Sequence, residues 1–187
     1  VMDANPILVE STRGEWVENR HRGAFVLSDA AGNVIAAAGD ISRPVFPRSA
    51  VKSIQALTLV TSGALERFGL SSEELALACA SHRGEEVHIG GVTRFLTHLG
   101  LSVDDLECGA HPPATAAERD ALRKSGEPLT ALYNNCSGKH AGMLADALAL
   151  GAPTRGYVER DHPVQKAVHD VIETVICAQL RIDRCGT

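Results

Sequence analysis

The segment Arg48-Ser49-Ala50-Val51-Lys52 places a hydroxyl and an amine three residues apart. On a helix, residues at that spacing share a face, so the amine can reach the hydroxyl. The N-terminus of a helix and burial both disfavour a charged amine. A neutral amine can take the serine proton and make Ser49 a nucleophile toward an amide carbonyl. The same helix start offers backbone N–H groups to an oxyanion. Ser-x-x-Lys recurs by chance, and a capping serine followed by a solvated lysine is the competing explanation. Context favours chemistry. Val51, Ile54, Leu57 and Val60 spread apolar surface around residues 49–62, and a buried helix has little use for a spare lysine.

A second cluster, Asn134-Asn135-Cys136-Ser137-Gly138-Lys139-His140, gathers two amides, a thiol, a hydroxyl, an amine and an imidazole just before an apolar helix. A helix cap needs one polar residue, not six, so this density points to a functional loop. Cys136 with His140 could ligate a metal, with Cys185 joining from a distance, although two local ligands are too few to specify zinc. The third segment, Ala80-Ser81-His82-Arg83-Gly84-Glu85, is weaker, and by itself reads better as a helix C-cap.

The elements that must position these groups begin with strands. Ile7–Glu10 and Trp16–Asn19 are short apolar or alternating runs, and Ala24–Ser28 and Val34–Ala38 flank a turn-rich stretch that predicts a hairpin. Helices follow: residues 49–62 up to Gly63, then a capping box at Ser71–Glu74 leading into Leu75–Cys79. Ile89, Val92, Leu96 and Leu99 keep helical spacing, and Thr115–Glu118 is a second capping box. Residues 139–150 and a last helix opened by Asp161-His162-Pro163, with a stripe at Val164, Val168, Val171 and Val175, complete the pattern. Strands first and helices after predict an α+β fold in a single domain over 1–187.

Composition narrows the class. The 187 residues are 44% hydrophobic and 22% charged with a net charge of −5, which fits a soluble globular chain and gives no basic footprint for nucleic acid. No secretory signal and no membrane-length apolar run are visible, so the expected location is the cytoplasm and the five cysteines are expected as thiols, Cys79 and Cys177 inert among apolar neighbours.

Phe46–Lys52, Ala80–Glu85, Asn134–His140 and Asp183–Gly186, in that order, resemble the asparaginase II family, the Rhizobium-type or class 3 L-asparaginases. The resemblance implies a serine β-lactamase or glutaminase-like architecture, an antiparallel sheet with helical layers. It implies Ser49 as the acylated nucleophile, Lys52 as its base, and Ser81 as a second serine paired with a lysine from a later part of the family's chain. It implies zinc held by Cys136, Lys139 and Cys185, where spacing by itself would have favoured His140. Arg48, His140 and Asp183 fall to the substrate, with Asp183 suited to an α-ammonium or to ordering water. The expected partner is L-asparagine, and a homodimer is expected. Arg184 departs from the pattern, standing where a small residue is expected beside Cys185.

Rival readings are a penicillin-binding or β-lactamase-like enzyme, a glutaminase-like amidohydrolase, and a truncated, catalytically silent metal-binding chain. The first is weakened because no Ser-Asp-Asn follows the Ser-x-x-Lys. The few strands and an end just past Cys185 predict that the fold continues beyond residue 187, and that these residues alone have little activity and expose apolar surface.

Overall fold

The computed structural model describes residues 5–176. Its contacts gather into two compact units, one ending at Phe46 and one beginning at Pro47. The first is all strand. β1 (Ile7–Arg13) pairs antiparallel with β2 (Trp16–Arg22), and β3 (Phe25–Ser28) with β4 (Val34–Ala38). Gly14, at φ +61°, makes the two-residue turn between β1 and β2 possible. In the second hairpin, Asp29 Oδ1 accepts from the backbone N–H groups of Ala31 and Asn33 and holds the loop shut. The two hairpins are separate two-stranded sheets, where one antiparallel sheet was expected. Trp16 is 82% exposed, and Val26, Leu27, Val34 and Ile35 are exposed as well.

The second unit is helical. A 3-10 turn at Arg48–Val51 runs into α1 (Lys52–Gln55), α2 (Thr58–Thr61) and α3 (Ala64–Arg67). Then come α4 (Ser72–Cys79), α5 (Glu86–His98), α6 (Ala116–Ser125), α7 (Ser137–Ala149) and α8 (Pro163–Ile176). The mixed strand-and-helix class expected from the sequence is therefore present. None of these helices is long and apolar enough to cross a membrane.

Both expected capping boxes mark helix starts, but only the one at Ser71 closes reciprocally; at Thr115 the N-cap bond forms without a return bond from Glu118. Ser71 Oγ accepts from the N–H of Glu74 while Glu74 Oε2 accepts from the N–H of Ser71, and Thr115 Oγ1 accepts from the N–H of Glu118. The single buried helix expected over 49–62 is instead broken. Thr58 Oγ1 lies 2.8 Å from the carbonyl of Gln55, and Leu57 and Leu59 bond three residues back instead of four. Leu57 and Val60 are consequently exposed, so burial is not all-round. In α8 the buried stripe is Val164, Val168 and Ile172, and Val175 is exposed.

The core sits around α7, which is buried along nearly its whole length. Leu59, Val92, Phe95, Leu96, Leu144 and Val164 pack about it. Asp146, buried near the far end of α7, accepts hydrogen bonds from Thr58 Oγ1 at 2.6 Å and Ser62 Oγ at 2.7 Å, which ties α2 to α7. Arg67 Nη1 donates to the carbonyls of Leu148 and Ala149 and so caps α7. The closest approach is between α7 and α4: at Gly138, a Cβ would run into the backbone carbonyl of Leu77, and at Gly142 it would sit 3.2 Å from the Cβ of Ala78.

Gly138→Ala should therefore destabilise the chain by about 1–3 kcal/mol, the usual cost of overpacking against something that cannot yield. Gly90→Ala in α5, whose new methyl meets only the flexible end of Arg94, should stabilise by roughly 0.5–1 kcal/mol. Denaturant melts of the two variants beside the parent give opposite shifts in midpoint; equal shifts would remove the close α4–α7 approach as a constraint.

Candidate active site

The α4–α7 contact brings two of the three polar segments together. α4 ends at Cys79, and the chain leaves it extended through Ala80. The N–H of His82 then donates to the carbonyl of Asn135 at 3.0 Å, so the Ser81 segment and the Asn134–His140 segment share a backbone hydrogen bond. His82 locks the junction. Its Nδ1 accepts from the N–H of Gly84, which leaves the ring proton on Nε2 to be donated to Ser137 Oγ at 2.8 Å; Ser137 in turn donates to the carbonyl of Leu132. His82 is thus a satisfied, buried histidine that holds two loops in register.

The third segment joins through Lys52. This lysine is only 4% exposed, and its Nζ donates to Ser81 Oγ at 2.7 Å and to the carbonyl of Ala80 at 2.8 Å. Ser81 Oγ is 2.9 Å from Ser49 Oγ. The Ser49–Lys52 pair and Ser81, which lie in separate sequence segments, therefore form one hydrogen-bonded chain: Lys52, Ser81, Ser49. Two expectations change. The amine reaches Ser49 through the Ser81 hydroxyl, because both Lys52 Nζ bonds are made to the end of α4, at Ala80 and Ser81. Ser81 is also no mere helix cap, and the lysine that reaches it within the described residues is Lys52.

Arg48 stands just before Ser49 at φ +52°, the single non-glycine residue with positive φ among the described residues. A side chain in this left-handed region costs on the order of 1–2 kcal/mol. Such strain persists where surrounding structure over-determines it, typically at functional sites. Ser49 and Arg48 are both exposed.

On the first turn of α7, Cys136 Sγ bonds Asn135 Oδ1 at 3.2 Å, and Asn134 caps the loop through Oδ1 to the N–H of Cys136 and Nδ2 to the carbonyl of Gly109. Burial pushes the Lys139 amine toward its neutral form; the nearby Cys136 thiol opposes this and Lys52 adds to it. Burial also pushes the Cys108 thiol up to about 11. His140 is buried, and desolvation, then the charges of Lys139 and Lys52, depress it to about 3, so its ring is neutral. Its Nδ1 lies 2.9 Å from Tyr157 Oη. Among the described residues, no group of three or more His, Cys, Asp or Glu side chains could hold a metal. Cys136 and Lys139 nonetheless suit the expected donor set, since a lysine must be neutral to ligate. Asp183, Cys185, Arg184 and Cys177 lie outside the described residues.

The model of the L-asparaginase II family matches residues 9–187. The chain belongs to the L-asparaginase II family. The match runs through the hairpins, the Ser49–Lys52 and Ser81 segments, and the Asn134–His140 loop, so the motif resemblance extends over the folded chain of this asparaginase-family protein. A search among curated proteins returns no match. Sequence reasoning missed Tyr157, Asp146 and the carbonyl of Ala80. Tyr157 sits in Gly156-Tyr157-Val158 with no pattern around it, but an acidic residue within the apolar run of α7 was a readable signal for Asp146.

Two buried groups set an acid response with opposite signs. Burial depresses His82 to about 4, below its ordinary 6.5, so the stability it contributes is present above 6.5 and lost as pH falls toward 4. Burial raises Asp146 to about 6 from 3.8, so its contribution is present below 3.8 and lost as pH rises through 6. Between pH 6 and 4 the two offset each other. Asp146→Asn removes the offsetting proton, so its melting temperature should fall more steeply than the parent's across that window. Parallel pH profiles for the two proteins would show that Asp146 is not the raised group.

Proposed function

We propose that this family member is an L-asparaginase that hydrolyses the side-chain amide of L-asparagine to aspartate and ammonia through an acyl-enzyme on Ser49. The observation that carries the reading is the Lys52–Ser81–Ser49 hydrogen-bond chain, with Ser49 exposed and Lys52 buried. Hydroxyl protons can rotate between their neighbours, so the same chain runs in either direction.

In the reactive direction Lys52 is neutral and keeps one N–H on the carbonyl of Ala80. Ser49 gives its proton to Ser81 as Ser81 gives its own to Lys52, and Ser49 Oγ attacks the amide carbon. The C–N bond breaks, and the proton returns along the chain to the departing nitrogen as ammonia. Water then attacks the ester by the same relay and releases aspartate. Arg48, beside Ser49, supplies a cation for the substrate's carboxylate, and His140 and Asp183 complete the substrate site.

Zinc belongs to this reading as a group held by Cys136, Lys139 and Cys185. When bound it supplies a fixed positive charge beside the substrate. The architecture around the site is read as serine β-lactamase-like, with an antiparallel sheet between helical layers, in a cytoplasmic homodimer. Chain completeness bears on rate, not on the identity of the nucleophile.

Ammonia release from L-asparagine tests the reading. Ser49→Ala should remove turnover by roughly three or more orders of magnitude, and Lys52→Met by a comparable factor, because residues that act as one unit fail together. Mass spectrometry of the parent quenched during turnover should show an acyl adduct on Ser49. Retention of most of the rate in Ser49→Ala would discard the mechanism.

A further inference from the structure

His140 lies in the cluster assigned to the substrate, yet it is bound on its far side by a residue with no place in the reaction so far. Tyr157 is fully buried, with 0% exposure, and its ring meets the imidazole edge-on at 5.6 Å between centroids. Tyr157 Oη accepts the backbone N–H of Glu107 at 2.9 Å and lies 2.9 Å from His140 Nδ1. The phenol is itself pinned. The N–H of Gly156 donates to Glu107 Oε1 at 2.8 Å, and Gln165 Nε2 donates to the carbonyl of Tyr157 at 2.8 Å.

A phenol has one proton. With Glu107 N–H donating to Oη, that proton is free for Nδ1, and Nδ1 must then be the unprotonated nitrogen. The reverse arrangement, Nδ1–H donating to Oη, would leave the phenolic proton with no acceptor in a dry core, the costly case for a buried donor. The neutral ring therefore carries its proton on Nε2, which has no hydrogen-bond partner among the described residues. Burial also raises the Tyr157 hydroxyl well above its ordinary value, so it stays a donor.

We propose that Tyr157 is a positioning residue: its hydroxyl holds His140 as the Nε2–H tautomer, so that His140 meets the substrate as a hydrogen-bond donor to an oxygen, not as a base or a metal ligand. The acceptor is an oxygen of an amide or carboxylate substrate, and this part rests on the asparaginase reading. A ring fixed this way has no lone pair on Nε2 for a metal. That gives a physical reason for Lys139, rather than its neighbour His140, to be the nitrogen donor beside Cys136.

The test is a spectrum and a pair of variants of the full chain. Ring-nitrogen NMR of the 15N-labelled parent should show His140 with protonated Nε2 and bare Nδ1, and Tyr157→Phe should lose that single tautomer. An Nδ1–H tautomer in the parent overturns the proposal, and so does an unchanged tautomer in Tyr157→Phe. If Tyr157→Phe does not fold, His140→Gln and His140→Asn decide. A glutamine amide donates from near the Nε2 position and an asparagine amide from near Nδ1, so the glutamine variant should keep about 10–100-fold more kcat/KM. Equal losses, or a better asparagine variant, overturn the donor role. The spectrum decides whether Tyr157 sets the tautomer whether or not the parent releases ammonia from L-asparagine, so failure of the asparaginase reading and failure of this proposal are distinguishable.

Discussion

Everything at the site depends on how closely α4 and α7 approach. The helices meet where Gly138 lies against the carbonyl of Leu77, with Gly142 against Ala78 about one helical turn further along α7. Small residues there let backbone approach backbone, and the separation is set by hard contact, not by compressible side chains. The C-terminal end of α4 and the N-terminal end of α7 are consequently neighbours. Ser81 and His82 follow one, and Cys136, Lys139 and His140 open the other. The hydrogen bond from His82 to Asn135 is a result of that spacing, as is the reach of His82 to Ser137.

Lys52 adds the third side. Its amine is anchored twice, on the Ala80 carbonyl and the Ser81 hydroxyl, so the 3-10 turn that carries Ser49 is referenced to the end of α4. The left-handed backbone at Arg48 opens the same turn, immediately before Ser49. One strained residue and one doubly bonded amine thus bracket Ser49. This is preorganisation in a literal sense: the groups are held before any substrate arrives.

The sequence carried much of this and left out particular parts for physical reasons. The helix starts at Ser71 and Thr115 were legible because each N-cap is a local pattern satisfied by a local bond. The turn-rich stretch from Asp29 to Asn33 was legible for the same reason. The break between α1 and α2 was not, since Thr58 and Ser62 bond Asp146, which lies 88 and 84 residues away in the chain. Among site residues, the type and order of Ser49, Lys52 and Ser81 were readable, but the order of the relay was not, because it depends on α4 packing. His140 was singled out as part of a polar cluster. Its tautomer depends on a tyrosine in another segment, and no spacing rule reaches that far.

The exposure of Trp16 bears on how this chain can be observed. It is the one tryptophan of the sequence, and it sits at the start of β2, open to solvent. Indole emission therefore reports on the hairpin unit and has little room to shift on unfolding. The tyrosines, Tyr133 and Tyr157, both belong to the helical unit, with Tyr157 in its dry core. Loss of the site would register in tyrosine absorbance or near-ultraviolet dichroism, while a tryptophan signal could stay flat throughout.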